Sequence, residues 1–223
     1  MNETELLKNA KPILFNSEMV RAILSKRKTQ TRRVVKLQPQ YHPNGDYWLT
    51  NTDYWYAKYK PKFETLKKYS KYQPGDILYV RETWANIRDW VDVDPDVGMT
   101  DGYIYKANWR CDEHPKWRPS IHMPKVAARI ILEITDIKIE RLQDITSEEA
   151  IAEGMGYLCF DEAEYDKKIL AVIQFEYLWD KIYLKRGLGW STNPFVWVID
   201  FERINIDLYA RSDLYETNNI ARK

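Results

Sequence analysis

The sequence predicts an α+β fold, and three observations carry that expectation. Apolar, β-branched runs mark strands at Ala128–Arg141 and Asn193–Phe201. Side-chain caps followed by helically spaced apolar residues mark helices that open at Asn16 or Ser17 and at Thr146. Turn signals such as Gln73-Pro74-Gly75-Asp76 separate the segments.

In chain order, Pro12-Ile13-Leu14-Phe15 reads as a short strand. The helix after it carries Met19, Val20, Ile23 and Leu24 on one face and is expected to end near Lys26–Lys28. Residues 38–73 are poor in aliphatics and crowded with rings, so they read as an insertion made of a short hairpin and a loop. Ile77-Leu78-Tyr79-Val80 reads as a buried strand, and Tyr103-Ile104-Tyr105 as a short one. Thr146-Ser147-Glu148-Glu149 is a capping box, with Gly154 as the stop of its helix. A longer helix spans Asp161–Arg186, offers Ile169, Leu170, Val172, Ile173, Leu178 and Ile182 to the core, and closes at Gly187. These elements suit a single domain over residues 10–204, with insertions at about 38–73 and 84–124 and a polar tail at 205–223.

The 223 residues are 44% hydrophobic, enough for a packed core, and 14% aromatic. Nine Trp and sixteen Tyr exceed what a core requires, so some rings are expected on a working surface. The two cysteines, Cys111 and Cys159, make no disulfide framework. No apolar leader and no run of about 18 apolar residues occurs, so the expectation is a cytoplasmic protein without a membrane partner.

The net charge of +1 hides a local asymmetry. From Met19 to Gly45 there is no acid, while Arg21, Lys26, Arg27, Lys28, Arg32, Arg33 and Lys36 fall in that span. Such a run is either a solvated basic face or an anion-facing patch, in which Arg27, Arg32 and Arg33 could clamp a phosphate or a base edge. Tyr47, Trp48, Trp55 and Tyr56 could stack on unpaired bases, or form a satellite core under the insertion. Cys111-x-x-His114 with His122 has zinc-like spacing but no evident fourth ligand, so neither metal nor other cofactor is expected. Trp84 is expected to pack rather than bind.

Lys28 and Thr31 lie three apart, which puts both on one face at a helix end or tight turn, and on opposite faces in a strand. A buried Lys beside Arg27, Arg32 and Arg33 can lose its proton near neutrality and act as a base for Thr31 or a water. Glu153 sits in the last turn of its helix, where its charge opposes the helix dipole. A nearby Lys28 would offset that cost and complete a general acid–base pair; an exposed Glu without a partner is the alternative.

Three segments together resemble the ASCH family of the PUA-like superfamily. They are Ile23–Arg33, Pro74–Val80 and Leu142–Met155, the last carrying Ala152-Glu153-Gly154. The family's Gly-x-Lys-x-x-Glu-x-Arg signature is matched at Lys28 and Arg33, with Lys26 in the Gly slot and Thr31 in the Glu slot. The resemblance implies a mostly antiparallel β-barrel with helices packed across its openings. Its site would lie between the helix ending near Lys28, the strand after Gly75 and the helix ending at Glu153. The Lys-x-x-Thr-x-Arg form is similar to the branch containing a small bacterial amidohydrolase of acetylcytidine, which implies catalytic roles for Lys28, Thr31 and Glu153. The whole chain also looks like longer phage and prophage members. The implied partner is therefore a modified nucleoside, RNA or DNA. Besides amide hydrolysis, the resemblance leaves open a non-catalytic nucleic-acid-binding module and a metal-independent nuclease.

Overall fold

The computed structural model describes residues 7–41, 47–49, 66–87, 102–110, 112, 115–156 and 167–204. Trp55, Tyr56, Cys111, His114, Cys159 and the 205–223 tail lie outside the described residues, as do the side chains of Tyr47 and Trp48.

The fold is α+β. A mixed five-stranded sheet has the order β1-β5-β8-β9-β2, formed by β1 (Lys11–Leu14), β2 (Gln30–Val34), β5 (Ile77–Arg81), β8 (Ile131–Arg141) and β9 (Phe195–Ile204). β1 runs parallel to β5, while β5–β8 and β2–β9 are antiparallel. Two short antiparallel ribbons join β3 (Pro39–Tyr41) to β4 (Tyr47–Leu49) and β6 (Trp84–Asn86) to β7 (Tyr103–Tyr105).

The chain divides into two compact units, each discontinuous in sequence. The first comprises residues 1–25, 76–133 and 202–223. Its helix α1 (Ser17–Leu24) begins where Asn16 Oδ1 accepts the Met19 N–H at 2.8 Å. It buries Val20, Ala22 and Ile23 and stops at Ser25, short of the expected Lys26–Lys28. The core of this unit gathers Leu7, Ala10, Tyr79, Trp84, Met123, Ala127, Ala128 and Ile131. Trp84 packs as expected, with the Arg118 guanidinium 5.1 Å from its ring centre. Glu82, buried beside it, receives both arms of Arg129 at 2.8 and 2.9 Å.

The second unit comprises residues 26–75 and 134–201. It opens with Lys26 at φ 60°, a left-handed residue that prevents the helix from continuing. The 38–73 segment does contain a short hairpin, β3–β4. Its far end is tied down, with Leu66 and Tyr72 buried and Lys67 lying 3.6 Å from Asp136.

Helix α2 (Ser147–Ala152) is capped as the sequence predicts: Thr146 Oγ1 accepts the Glu149 N–H, and Glu149 Oε2 accepts the Thr146 N–H. It ends in a Schellman arrangement, with Gly154 N–H bonded to Ile151 O at 2.8 Å and Met155 N–H to Ala150 O at 3.1 Å. Gly154 takes φ 95° there, a conformation that a Cβ disfavours.

Helix α3 (Lys167–Tyr183) differs from expectation in the face it buries. Ala171, Phe175 and Trp179, spaced four apart, enter the core with Leu142, Ile145, Ala150, Val196 and Val198. Ile169 and Ile173 are more than half exposed instead, and Ile182 is also exposed. The large rings of Phe175 and Trp179 fill that space; Ile169 and Ile173, two positions before Ala171 and Phe175, turn to solvent, while Val172 packs against the edge of the core as expected.

Candidate functional site

The second unit brings Lys28 and Glu153 together across 125 residues of sequence. Lys28 Nζ lies 2.6 Å from Glu153 Oε2, 2.9 Å from Glu153 O and 2.8 Å from Gln30 O. Those three acceptors match the three donors of an ammonium. Both side chains are almost wholly buried, at 0% and 3% exposure.

Local chain geometry explains the meeting. The Schellman turn fixes Glu153 as the residue that closes α2. The segment after Lys26 then runs antiparallel past it, with Lys28 and Glu153 in an isolated bridge. Thr29 N–H binds Ala152 O at 2.9 Å, and Arg27 Nη1 reaches Gly154 O at 3.2 Å. Residues 27–29 therefore satisfy the carbonyls that the helix leaves open, and a cation sits where the helix dipole favours one.

Thr31 does not join this pair. The expectation that Lys28 and Thr31 share a face required a helix end or tight turn at residue 28. The chain is instead extended from Gln30 to Val34. Gln30 and Arg32 occupy one face, joined by a 2.7 Å bond from Arg32 Nη1 to Gln30 Oε1. Alternation turns Thr31 to the other face, in register with Ile199, and Arg33 follows it opposite Trp197.

Arg32 is also placed differently from its expected role as a surface clamp. Its side chain is fully buried, and its Nη2 donates to Glu140 Oε1 at 2.6 Å and to Glu149 Oε2 at 2.7 Å. Phe175 of α3 lies beneath it, 5.8 Å to the ring centre. Lys138 of β8 bonds Glu149 Oε1 and lies 3.2 Å from Glu140 Oε2. Gln30 Nε2 extends the network to Asp200 at 2.6 Å. Of the expected binding residues, Arg27 and Arg33 remain partly exposed.

Sequence reasoning missed Glu140, Lys138, Gln30 and Asp200, and gave Glu149 only its capping role. A signal existed on β8, where Lys138 and Glu140 are two apart and so share a face of a predicted strand.

The electrostatics follow from burial. Loss of water pushes the Lys28 ammonium below the ordinary lysine value; Glu153 opposes that push, and Arg33 and Arg32 reinforce it. Burial also acts to lower Lys138, but its contacts with Glu149 and Glu140 outweigh it and hold Lys138 above the usual value. Burial acts to raise Glu149, and Lys138, the Thr146 N–H and Arg32 together hold it below the usual carboxylate value.

Glu153 Oε1 stands apart. It is buried, lies 3.6 Å from Arg32 Nη1, beyond hydrogen-bond range, and has no hydrogen-bond partner among the described residues. One oxygen of Glu153 is thus hydrogen-bonded to Lys28, and the other faces Arg32 as an ion pair without a hydrogen bond. Among the described residues no cluster of His, Cys, Asp and Glu could hold a metal ion. No helix among the described residues is long and apolar enough to cross a membrane.

Comparison of the chain with family models, curated proteins and solved structures finds no match.

Proposed function

We propose that this chain is a nucleoside- or nucleic-acid-binding protein of the ASCH type, which hydrolyses the amide of an N-acylated cytidine through Lys28 and Glu153. The observation that carries the reading is the buried 2.6 Å contact between Lys28 Nζ and Glu153 Oε2. On the same reading, the mixed sheet is part of a PUA-like barrel with helices packed across its openings.

The chemistry requires little beyond the pair. Transfer of a proton from Lys28 to Glu153 leaves a neutral amine and a neutral acid, and the depressed proton affinity of Lys28 brings that state within reach. The amine takes a proton from water as the water oxygen attacks the acyl carbonyl. The C–N bond then breaks, Glu153 protonates the departing amine, and the products are a carboxylic acid and cytidine. Water takes the nucleophile's place because Thr31 faces away. Arg27 and Arg33, both partly exposed, would add positive charge on the side a phosphate approaches.

One observation favours a second reading, a binding module without chemistry: Lys28 and Glu153 are buried so completely that substrate must displace protein to touch them. Incubation with N-acetylcytidine, free and within an oligonucleotide, separates the two. Release of acetate by the wild type, lost in Lys28→Ala and Glu153→Gln, supports hydrolysis. Salt-sensitive oligonucleotide binding with no acetate released supports the module. Chain shortening without added metal would point to a nuclease instead.

A further inference from the structure

We propose that Glu149 and Glu140 are positioning residues for the Lys28–Glu153 pair, holding the Arg32 guanidinium away from the second oxygen of Glu153; this rests on the hydrolytic reading above.

A guanidinium beside a carboxylate ordinarily closes into a two-pronged pair. Arg32 does not. Its Nη1 is bonded to Gln30 Oε1 at 2.7 Å, and its Nη2 to Glu140 Oε1 and Glu149 Oε2 at 2.6 and 2.7 Å. These anchors leave Nη1 at 3.6 Å from Glu153 Oε1, and that oxygen without a hydrogen bond among the described residues. The anchors come from three elements, Gln30 from β2, Glu140 from β8 and Glu149 from the first turn of α2, and Lys138 ties the two carboxylates. Glu149 and Glu153 lie four apart on α2, one turn of the same face.

The distance has a chemical consequence. A carboxylate clamped by an arginine, whose charge is permanent, is a poor carrier of protons. At 3.6 Å, Glu153 Oε1 keeps an ion pair with Arg32 but takes no hydrogen bond from it, so its lone pairs stay open to another donor. The charged groups around Glu153 are Lys28, Arg32 and, one shell out, Arg33 before and within β2; Glu149 on α2; and Glu140 and Lys138 on β8. Among the described residues, Arg32 is the cation that faces Oε1, and Gln30, Glu140 and Glu149 hold its guanidinium by hydrogen bonds.

The test follows the titration of the Lys28 amine by heteronuclear NMR in the full-length protein. In Glu149→Gln the amide oxygen still caps Thr146, but the anchor on Arg32 weakens. Arg32 then closes on Glu153, and the Lys28 midpoint falls by about one unit or more. Glu140→Gln moves it in the same direction without touching the cap, and serves if Glu149→Gln folds poorly. Thr146→Ala weakens the cap, leaves Arg32 anchored and leaves Lys28 unmoved. Combining Arg32→Gln with Glu149→Gln abolishes the shift. An unmoved Lys28 in both Gln variants, an equal shift in Thr146→Ala, or a shift that persists without Arg32 overturns the proposal. If the wild type releases no acetate while the NMR pattern holds, the positioning stands and the hydrolytic reading falls.

Discussion

Replacing Glu153 by Gln tests the site through stability as well as turnover. From sequence alone, the change should be neutral or slightly stabilising, because a charge unfavourable to the helix dipole disappears. The structure reverses that sign. Glu153 is the carboxylate paired with a Lys28 side chain of 0% exposure, and it lies 3.6 Å from an equally buried Arg32. Removing its charge leaves two buried cations with less compensation. Breaking one partner of a buried pair costs about 3–5 kcal/mol, against the few tenths recovered from the dipole. The two carbonyls on Lys28 and the Gln oxygen soften this, so the lower end, about 3 kcal/mol, is the expected loss. For a chain of this size that is a fall of roughly 6–12 °C in the melting temperature. Adding Lys28→Met to Glu153→Gln removes the stranded ammonium and should recover much of the loss. Melting curves and urea titrations of wild type, both single variants and the double variant supply the cycle. A loss below about 1 kcal/mol in Glu153→Gln, or full additivity in the double variant, would refute the reasoning. If the pair also works in catalysis, turnover falls about 10²–10⁴-fold in either single variant, and little further in the double.

The remaining predictions concern the neighbours of the pair. Glu149, with its proton affinity lowered, contributes stability that is present above pH 4.5 and lost as pH falls through its lower folded value; Lys138, raised, contributes stability that is full below pH 10.5 and lost above it. Lys28, lowered, acts in the opposite sense, with stability rising between its depressed value and pH 10.5; melting curves across pH, repeated in Glu149→Gln and Lys138→Met, check the three. Gly154→Ala should cost about 1–2 kcal/mol, because the Schellman turn needs φ 95°, and chemical denaturation measures it. Arg33→Ala should flatten the salt dependence of oligonucleotide binding, whereas Arg32→Ala should lower the melting temperature and leave the slope unchanged; equal slopes in wild type and Arg33→Ala would remove Arg33 from a phosphate contact.

What the sequence made legible is the local grammar. The caps at Asn16 and Thr146, the turn at Gly75 and the stops at Gly154 and Gly187 depend on neighbours a few residues away, and each stands where the spacing predicts it. The start of β8 is less sharp: residues 125–127 form a short 3-10 turn, and the strand begins at Ile131 rather than Ala128. The α3 helix was legible as an element, but its buried face was not fully so, because apolar residues stand on more than one side of it and tertiary packing decides that Ala171, Phe175 and Trp179 face the core. The site was legible in part. The chance that Lys28 meets Glu153 could be framed from charge and dipole, but the phase of Thr31 could not. That phase turned on whether the chain after Lys26 is helical or extended, and one left-handed residue settled it.

The buried network is poorly explained by stability alone. Lys28, Arg32 and Glu153 have each surrendered nearly all their hydration, and apolar residues of equal volume commonly match or exceed such groups in stability. A purely structural network is expected to close every bond, since a half-satisfied buried polar cluster is worse than an apolar one. Here Glu140, Glu149 and Gln30 hold Arg32 firmly, yet Glu153 Oε1 and Arg32 Nε have no hydrogen-bond partner among the described residues. The restraint on Arg32 and the oxygen without a hydrogen bond belong together. If Arg32 were an ordinary structural arginine, Glu140→Gln and Glu149→Gln would each lower the melting temperature and leave the proton affinity of Lys28 alone. If it is a tethered charge, the two effects separate, and Lys28 moves by a margin that the loss of stability does not predict.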